Sequence, residues 1–207
     1  MTVIRTARLT LRPFTRADAP AIAALAGDPA VARMLVDIQL PFDERAARRW
    51  LDNAWGELRL GIERSGELIG GVCYFCYPEN TGGLGYWLGR AHWGQGFASE
   101  AAAALLCFGF EQERLQLFRS AHFIDNPASG RVLSRLGFQR RGWAIAWCPA
   151  RKEKVESAHY SLSRADAGFA PAAGTWAGWL GFRPFGSSAR PLTSSASARR
   201  PRADSAR

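Results

Sequence analysis

Between residues 84 and 101 the chain reads Leu-Gly-Tyr-Trp-Leu-Gly-Arg-Ala-His-Trp-Gly-Gln-Gly-Phe-Ala-Ser-Glu-Ala, and no other stretch restricts the fold as much. The apolar residues up to Leu88 predict a strand, and the alanine-rich run after Gly96 predicts a helix that continues to about Arg114. A strand that ends in glycines and passes at once into a helix gathers backbone N–H groups at the positive end of a helix dipole. Gly94 and Gly96 keep side chains out of the way there. Such a turn suits a pyrophosphate, although a tight strand-to-helix turn asks for glycine on steric grounds as well.

Other elements fall on either side of this turn. Residues 7–14 alternate polar and apolar side chains, the period of a half-buried strand. Thr15 and Asp18 form a capping-box pattern that opens a helix with Ala21, Ile22, Leu25 and Ala26 as its apolar stripe. An apolar segment over 34–41 leads to a second helix over about 43–55, with Ala46, Trp50 and Leu51 on one side. Strands are predicted near 58–63 and 68–77, joined by a short turn containing Gly66, and again over 83–88. Past the long helix come a strand over 117–124, a helix capped by Asn126, started by Pro127 and closed by Gly137, and a final hairpin over about 139–148 and 154–162. This order predicts an α/β fold, a central mixed sheet flanked by helices, with a parallel crossover through the helix after Gly96.

From residue 167 onward Ala, Gly, Ser, Pro and Arg dominate, so 1–166 is expected to be the folded domain and 167–207 a disordered extension. Trp176, Trp179, Phe182 and Phe185 have a helix-like spacing that Gly174, Gly178 and Gly181 oppose. Six arginines against Asp204 put a net +5 after residue 166, leaving only +4 of the total +9 on the domain. That mild excess suits an anionic ligand and does not point to nucleic acid. Cys73 and Cys76 lie in an apolar strand with no second Cys or His pair at a matching spacing, which favours core thiols in a reducing compartment over a metal site. The three histidines are scattered, so no metal is expected. No stretch approaches the roughly 20 apolar residues needed to span a bilayer, and the start lacks an apolar signal region, so the cytoplasm is the expected location.

The glycine stretch resembles motif A of the GNAT acetyltransferases. Together with Tyr86-Trp-Leu and the later Asp125-Asn-Pro-Ala-Ser129 and Leu136-Gly-Phe138, it resembles the branch containing the Rim-type ribosomal-protein N-terminal acetyltransferases, over about residues 5–165. The resemblance implies transfer of an acetyl group from acetyl-CoA to a primary amine, by direct attack in a ternary complex, in a monomer or homodimer without metal, nucleic acid or membrane partners. It implies cofactor contacts at Trp87, Leu88, Trp93, Gly94, Gln95, Gly96, Phe97, Ala98, Ser99, Asn126 and Ser129. Where the family motif begins with Gln or Arg, this chain has Ala91.

For catalysis the resemblance implies that a backbone N–H near Leu88 meets the developing negative charge on the carbonyl oxygen. Ser129 is the candidate to protonate the leaving thiolate, against the plainer reading of a serine in a helix's first turn. Asn126 contacts the pantetheine arm, caps its helix, or does both. Relatives carry a basic glutamate at positions that fall here on Gly83 and on Cys148. Glu79, Glu100 and Glu153 remain, and Glu100 also reads as a dipole-stabilising acid of its helix's first turn. Tyr74, Tyr77, Trp87, Trp143 and Trp147 line the acceptor side or simply pack the core. The missing glutamates leave open a module that binds acyl-CoA without efficient chemistry, and the basic extension leaves open binding to an anionic partner.

Overall fold

A computed structural model describes residues 2–53 and 57–168 of the chain. The elements are β1 (Ile4–Arg5), β2 (Thr10–Pro13), α1 (Ala19–Ala26), α2 (Pro29–Ala32), α3 (Glu44–Asp52), β3 (Glu57–Arg64), β4 (Glu67–Tyr77), β5 (Thr81–Leu88), α4 (Phe97–Glu111), β6 (Leu117–Phe123), α5 (Pro127–Arg135), β7 (Gln139–Cys148) and β8 (Glu153–Ser163). They build the mixed α/β architecture expected. One sheet runs in the order β1-β2-β3-β4-β5-β6-β8-β7. Its only parallel pair among the described residues is β5 with β6, joined by the α4 crossover.

Several boundaries differ from the sequence reading. The first strand is shorter, because Thr6 N–H and Leu9 C=O close a turn at 2.9 Å and leave β1 as a separate short strand. The Thr15 capping box forms, but around a 3-10 turn at Arg16–Asp18, and α1 starts only at Ala19. There Asp18 also takes a bidentate pair of hydrogen bonds from Arg12, both 2.9 Å. Burial pushes the Asp18 carboxyl up, but the bonds from Arg12 and Thr15 outweigh it and hold the group below its ordinary value. The short α2 was not anticipated, although Asp28 as cap and Pro29 at the first position are its ordinary signals. Helix α3 ends at Asp52 with Asn53 as its cap, short of the expected end at Trp55, and residues 54–55 lie outside those described. The aromatic run of the extension, from Trp176 to Phe185, lies outside them as well.

The sheet divides two cores. On one face α1, α2 and α3 pack through Ile22, Ala26, Ala32 and Ala47, with Ile38 of the apolar 34–41 segment buried among them and Trp87 at the margin. On the other, α4 packs through Phe110 onto Phe118, which meets Tyr74 edge-on. Helix α5 joins α4 on that face, so close that a Cβ on Gly130 would lie 2.8 Å from His122. No helix among the described residues is long and apolar enough to cross a membrane.

Candidate active site

Strand β5 leaves the sheet at Gly89, makes a 3-10 turn over Arg90–His92 and reaches α4 through Trp93, Gly94, Gln95 and Gly96. Gly94 and Gly96 both hold left-handed backbone, with φ of +75° and +82°. An L side chain is strained there, which is why the sequence has glycine. Gly96 is the N-cap of α4 and offers no side chain to cap it. The first N–H groups of the helix, from Phe97, Ala98 and Ser99, therefore point out of its end without an intrahelical acceptor. The Ser99 hydroxyl is buried beside them with no hydrogen-bond partner among the described residues. Orphan donors, an unused hydroxyl and open space over Gly94 fit a diphosphate.

The loop is braced by residues the sequence did not single out. Arg8 donates to Gln95 C=O at 3.1 Å and to Glu100 at 2.7 Å, and its guanidinium lies over the Phe97 ring, 4.6 Å from the centroid. Arg64 approaches the same ring at 4.8 Å. Phe97 is only 2% exposed, so its ring belongs to the core. Gln95 likewise turns its amide onto Ala91 C=O at 3.1 Å, bracing the loop. Glu100 does more than sit at the helix N-terminus: it accepts from Thr6 Oγ1 at 2.6 Å and from Arg8 N–H at 2.9 Å, tying the start of the chain to α4. Burial raises its pKa, but these bonds and the Arg8 charge prevail and keep it a carboxylate of low basicity.

The chain parts at the other end of this loop. Strands β5 and β6 pair only from Thr81 to Gly83 against Leu117 to Arg119, and beyond that they diverge. The bond from Gly89 N–H to Ile69 C=O, 2.9 Å, continues the β4–β5 ladder and fixes its phase. Alternation then directs the backbone of Trp87 toward β4, and that of Tyr86 and Leu88 away from it, into the gap. Two contacts agree: Ser120 Oγ donates to Leu84 C=O at 3.0 Å, and the Trp93 indole N–H donates to Leu88 C=O at 2.8 Å. The Leu88 N–H faces the gap. Trp87 is separated from the site residues it was grouped with, its backbone in the ladder and its ring beside Phe14 and Gly71.

Across the gap, α5 presents Ser129 at the third position of its first turn. The Asn126 side chain caps that turn, accepting from Ser129 N–H at 3.2 Å. The Tyr86 hydroxyl reaches from β5 to Ser129 Oγ at 2.8 Å. Burial pushes the Tyr86 phenol up to about 12, so it stays protonated at neutral pH. Tyr86 was missed as an individual residue, because nothing local in a Gly-Tyr-Trp run shows that the ring crosses to a helix 43 positions later.

The two usual glutamate positions are used for other purposes. A Cβ at Gly83 would lie 2.7 Å from the Tyr77 ring, which fills the space a side chain would take. Cys148 is fully buried, its thiol directed at Arg33 C=O and Leu35 C=O at 3.5 and 3.8 Å. It anchors β7 to the segment after α2. Cys76, by contrast, is exposed, which corrects its reading as a core thiol. Among the aromatic residues, Tyr74 is core, whereas Tyr77, Trp143 and Trp147 are more than half exposed. Trp143 and Trp147 alternate with Ala144, Ala146 and Cys148, so they occupy the sheet face opposite that of the Cys148 thiol and its α2-side partners. They do not share the face of Tyr77 and Gly83. A cavity of about 520 Å³ lies beneath α3, lined by Asp37, Phe42, Trp50 and Arg59, on the far side of β4 from the gap.

The acetyltransferase (GNAT) domain model matches residues 8–139, most of the chain, including the glycine loop and both walls of the gap. The chain belongs to the GNAT acetyltransferases. An uncharacterised N-acetyltransferase of Bacillus licheniformis, p20, is 30% identical over 174 residues, covering 78% of this chain and 96% of that protein. The ribosomal-protein-serine acetyltransferase of Escherichia coli is 37% identical over 83 residues, covering 39% of this chain and 46% of its own. A crystal structure of a GNAT acetyltransferase from Bacillus anthracis superposes with a TM-score of 0.69 at 25% identity, covering 78% of this chain and 98% of that one. As a GNAT protein the chain is an acetyl-CoA-dependent acyltransferase.

Proposed function

We propose that this GNAT enzyme moves the acetyl group of acetyl-CoA to a primary amine, of a protein N-terminus or a small molecule, by direct attack in a ternary complex. The observation that carries this reading is the uncapped N-terminus of α4 beside the opening between β5 and β6. One diphosphate-bearing thioester lies along both features, with phosphates on the donors of Phe97, Ala98 and Ser99 and the pantetheine arm in the gap. Similarity to the ribosomal-protein-serine enzyme supports a protein as acceptor.

In this reading the neutral amine attacks the thioester carbonyl, a C–N bond forms, and the C–S bond breaks. The Leu88 N–H, directed into the gap, donates to the carbonyl oxygen as its charge grows. Ser129 gives its proton to the departing thiolate and Tyr86 holds Ser129 in place, its own hydroxyl proton available to refill the serine. Asn126 fixes the turn that carries Ser129. The ammonium proton leaves through water, since Glu100 is engaged by three bonds and Glu79 and Glu153 are exposed at strand ends. The exposed Cys76 thiol fits a reducing compartment, the cytoplasm. The domain is taken to end near residue 166.

Release of free thiol from acetyl-CoA, measured against peptides with different N-termini, polyamines and aminoglycosides, tests the reading. Turnover with one class and not the others identifies the acceptor. Tight CoA binding with no turnover on any amine supports instead a binding module, the second reading that the displaced glutamates favour. Truncation after residue 166 is expected to leave CoA affinity unchanged, and its loss would show that the extension completes the site.

A further inference from the structure

Strand β7 contains a palindrome, Trp143-Ala144-Ile145-Ala146-Trp147, and among the described residues it is an edge strand whose neighbour in the sheet is β8 alone. An edge strand offers a row of unpaired N–H and C=O groups, and proteins ordinarily blunt such rows with charges, prolines or bulges. Here those devices stand only at the two ends. A bulge at Arg140/Gly142 closes one end, Pro149 closes the other, and the seven residues between them, Gly142 to Cys148, carry no charge and no proline. Both boundaries are equally far from Ile145.

The side chains repeat this symmetry. Trp143, Ile145 and Trp147 share one face and are 66%, 60% and 55% exposed. With roughly 150–250 Å² on each aromatic ring, they form an apolar patch of several hundred Å², large for a surface that serves no partner. Nothing in the acetyl-transfer site uses it, since the gap lies between β5 and β6 and two strands separate β6 from solvent on this side.

We propose that this strand is a self-association surface: β7 pairs antiparallel with β7 of a second copy, across a two-fold axis through Ile145. A two-fold axis through Ile145 opposes residues equidistant from it, and in this palindrome those are residues of one kind. Trp143 then faces the partner's Trp147, Ala144 the partner's Ala146, and Ile145 its own counterpart, so each residue of the palindrome meets its own kind. The two indole pairs lie side by side on one face, the preferred offset arrangement for aromatic residues. The register is fixed as well, because a slip of one residue breaks both Trp pairings, setting one Trp of each strand against an Ala and the other against Cys148 or Gly142, and a slip of two sets Pro149 opposite Trp143 in one direction and Arg141, at the bulge, opposite Trp147 in the other. The result is one sheet continuous through two protomers. An interface of this size, near or below about 1,200 Å², belongs to the weaker class, with dissociation of micromolar order.

The test uses the full-length chain. Sedimentation over about 1–100 μM is expected to show a monomer–dimer equilibrium, and Ile145→Lys, which sets two ammonium groups against each other on the axis, is expected to raise the dissociation constant by about a hundredfold or more. Ile145 is exposed, so the variant is expected to fold, which circular dichroism checks. A disulfide series then reads the register. In a Cys76→Ser background, Ile145→Cys alone crosslinks two copies on mild oxidation, because opposed residues stand about 4.5–5.5 Å apart, within disulfide range. Trp143→Cys alone does not crosslink, since its opposite is the partner's Trp147, whereas Trp143→Cys with Trp147→Cys does. A monomer at every concentration, a dimer indifferent to Ile145→Lys, or crosslinking at 143 alone and not at 145 would each overturn the proposal.

Discussion

In the proposed reading, the phosphate end and the amine end of the β5–β6 gap are made of different materials. At the phosphate end the groups that matter belong to the backbone: two glycines at positive φ, an uncapped helix and N–H donors in fixed directions. Side chains there brace, as Arg8 does from the far end of the chain, and the motif survives Ala91 in place of a polar residue. At the amine end function depends on individual side chains, and packing has reassigned them. Tyr77 covers Gly83, and Cys148 ties β7 to the segment after α2. A backbone site constrains the sequence because few residues tolerate its dihedral angles, whereas a side-chain site can be rebuilt from any strand that reaches it.

The largest test of this contrast is Gly96→Asp. The carboxylate would enter the proposed phosphate site, where two like charges about 4 Å apart repel by about 4 kcal/mol at an effective dielectric near 20, at most about a thousandfold in acetyl-CoA affinity, less what the Arg8 guanidinium, 3.4 Å from a Cβ at 96, gives back. Gly96→Ala separates charge from geometry. At φ of +82° alanine is strained by about 1–2 kcal/mol, so it too weakens binding, by roughly five- to thirtyfold. Calorimetric titration of both folded variants decides. An Asp variant that binds like the parent would mean that the loop is only a turn.

Next in size are the residues that cross the gap. Ser129→Ala is expected to lower kcat about 10- to 100-fold, the modest end of proton-transfer effects, with CoA affinity unchanged. Tyr86→Phe removes the hydroxyl's two contacts with Ser129, to its Oγ and its C=O, each worth about 1 kcal/mol, and is expected to lower kcat by roughly three- to tenfold. Because Tyr86 acts through Ser129, the double variant should fall no lower than Ser129→Ala alone. An unchanged kcat in Ser129→Ala removes both from the chemistry, and additive losses would mean that Tyr86 acts by another route.

The same contrast explains what the sequence revealed. The hairpin through Gly66, the helix framed by Asn126 and Gly137 and the glycine loop are each set by neighbours within a few positions, and all are found where their local signals place them. What escaped depends on contacts between distant segments. Glu100 looked like a local dipole acid, yet its partners Thr6 and Arg8 lie more than 90 positions away. The Thr15–Asp18 box was legible as a cap, but Asp18 also answers to Arg12, and the helix proper begins later. That β8 would lie inside β7 follows from its pairing with β6, which no periodicity encodes. The exposure of Trp143 and Trp147 was equally hidden, because a tryptophan in an alternating strand reads as core until the strand is known to be an edge.

The smallest expected effect is one of shape, and it concerns the amine end directly. If no enzyme carboxylate removes the proton, the amount of neutral amine sets the rate, and it rises tenfold per pH unit until the acceptor's own pKa is passed. The log of kcat/KM should therefore climb with unit slope and level off near 8 for a peptide α-amine, but only near 10 for a lysine-like amine, following values of about 7.7–8.0 and 10.4. Neither near-site group intrudes on this range, since Glu100 is held below the ordinary carboxylate range and Tyr86 remains protonated to about 12. Gly83→Glu alone should not help, because its Cβ meets Tyr77 at 2.7 Å; the overpacking costs about 1–3 kcal/mol of stability without a gain in rate. Pairing it with Tyr77→Ala clears that space, and a break in the profile should then appear at a pH that no longer depends on the acceptor. A fixed break already present in the parent enzyme, unmoved when a peptide is exchanged for an alkylamine, would show that a base is in place and that the amine end is better equipped than Gly83 and Cys148 suggest.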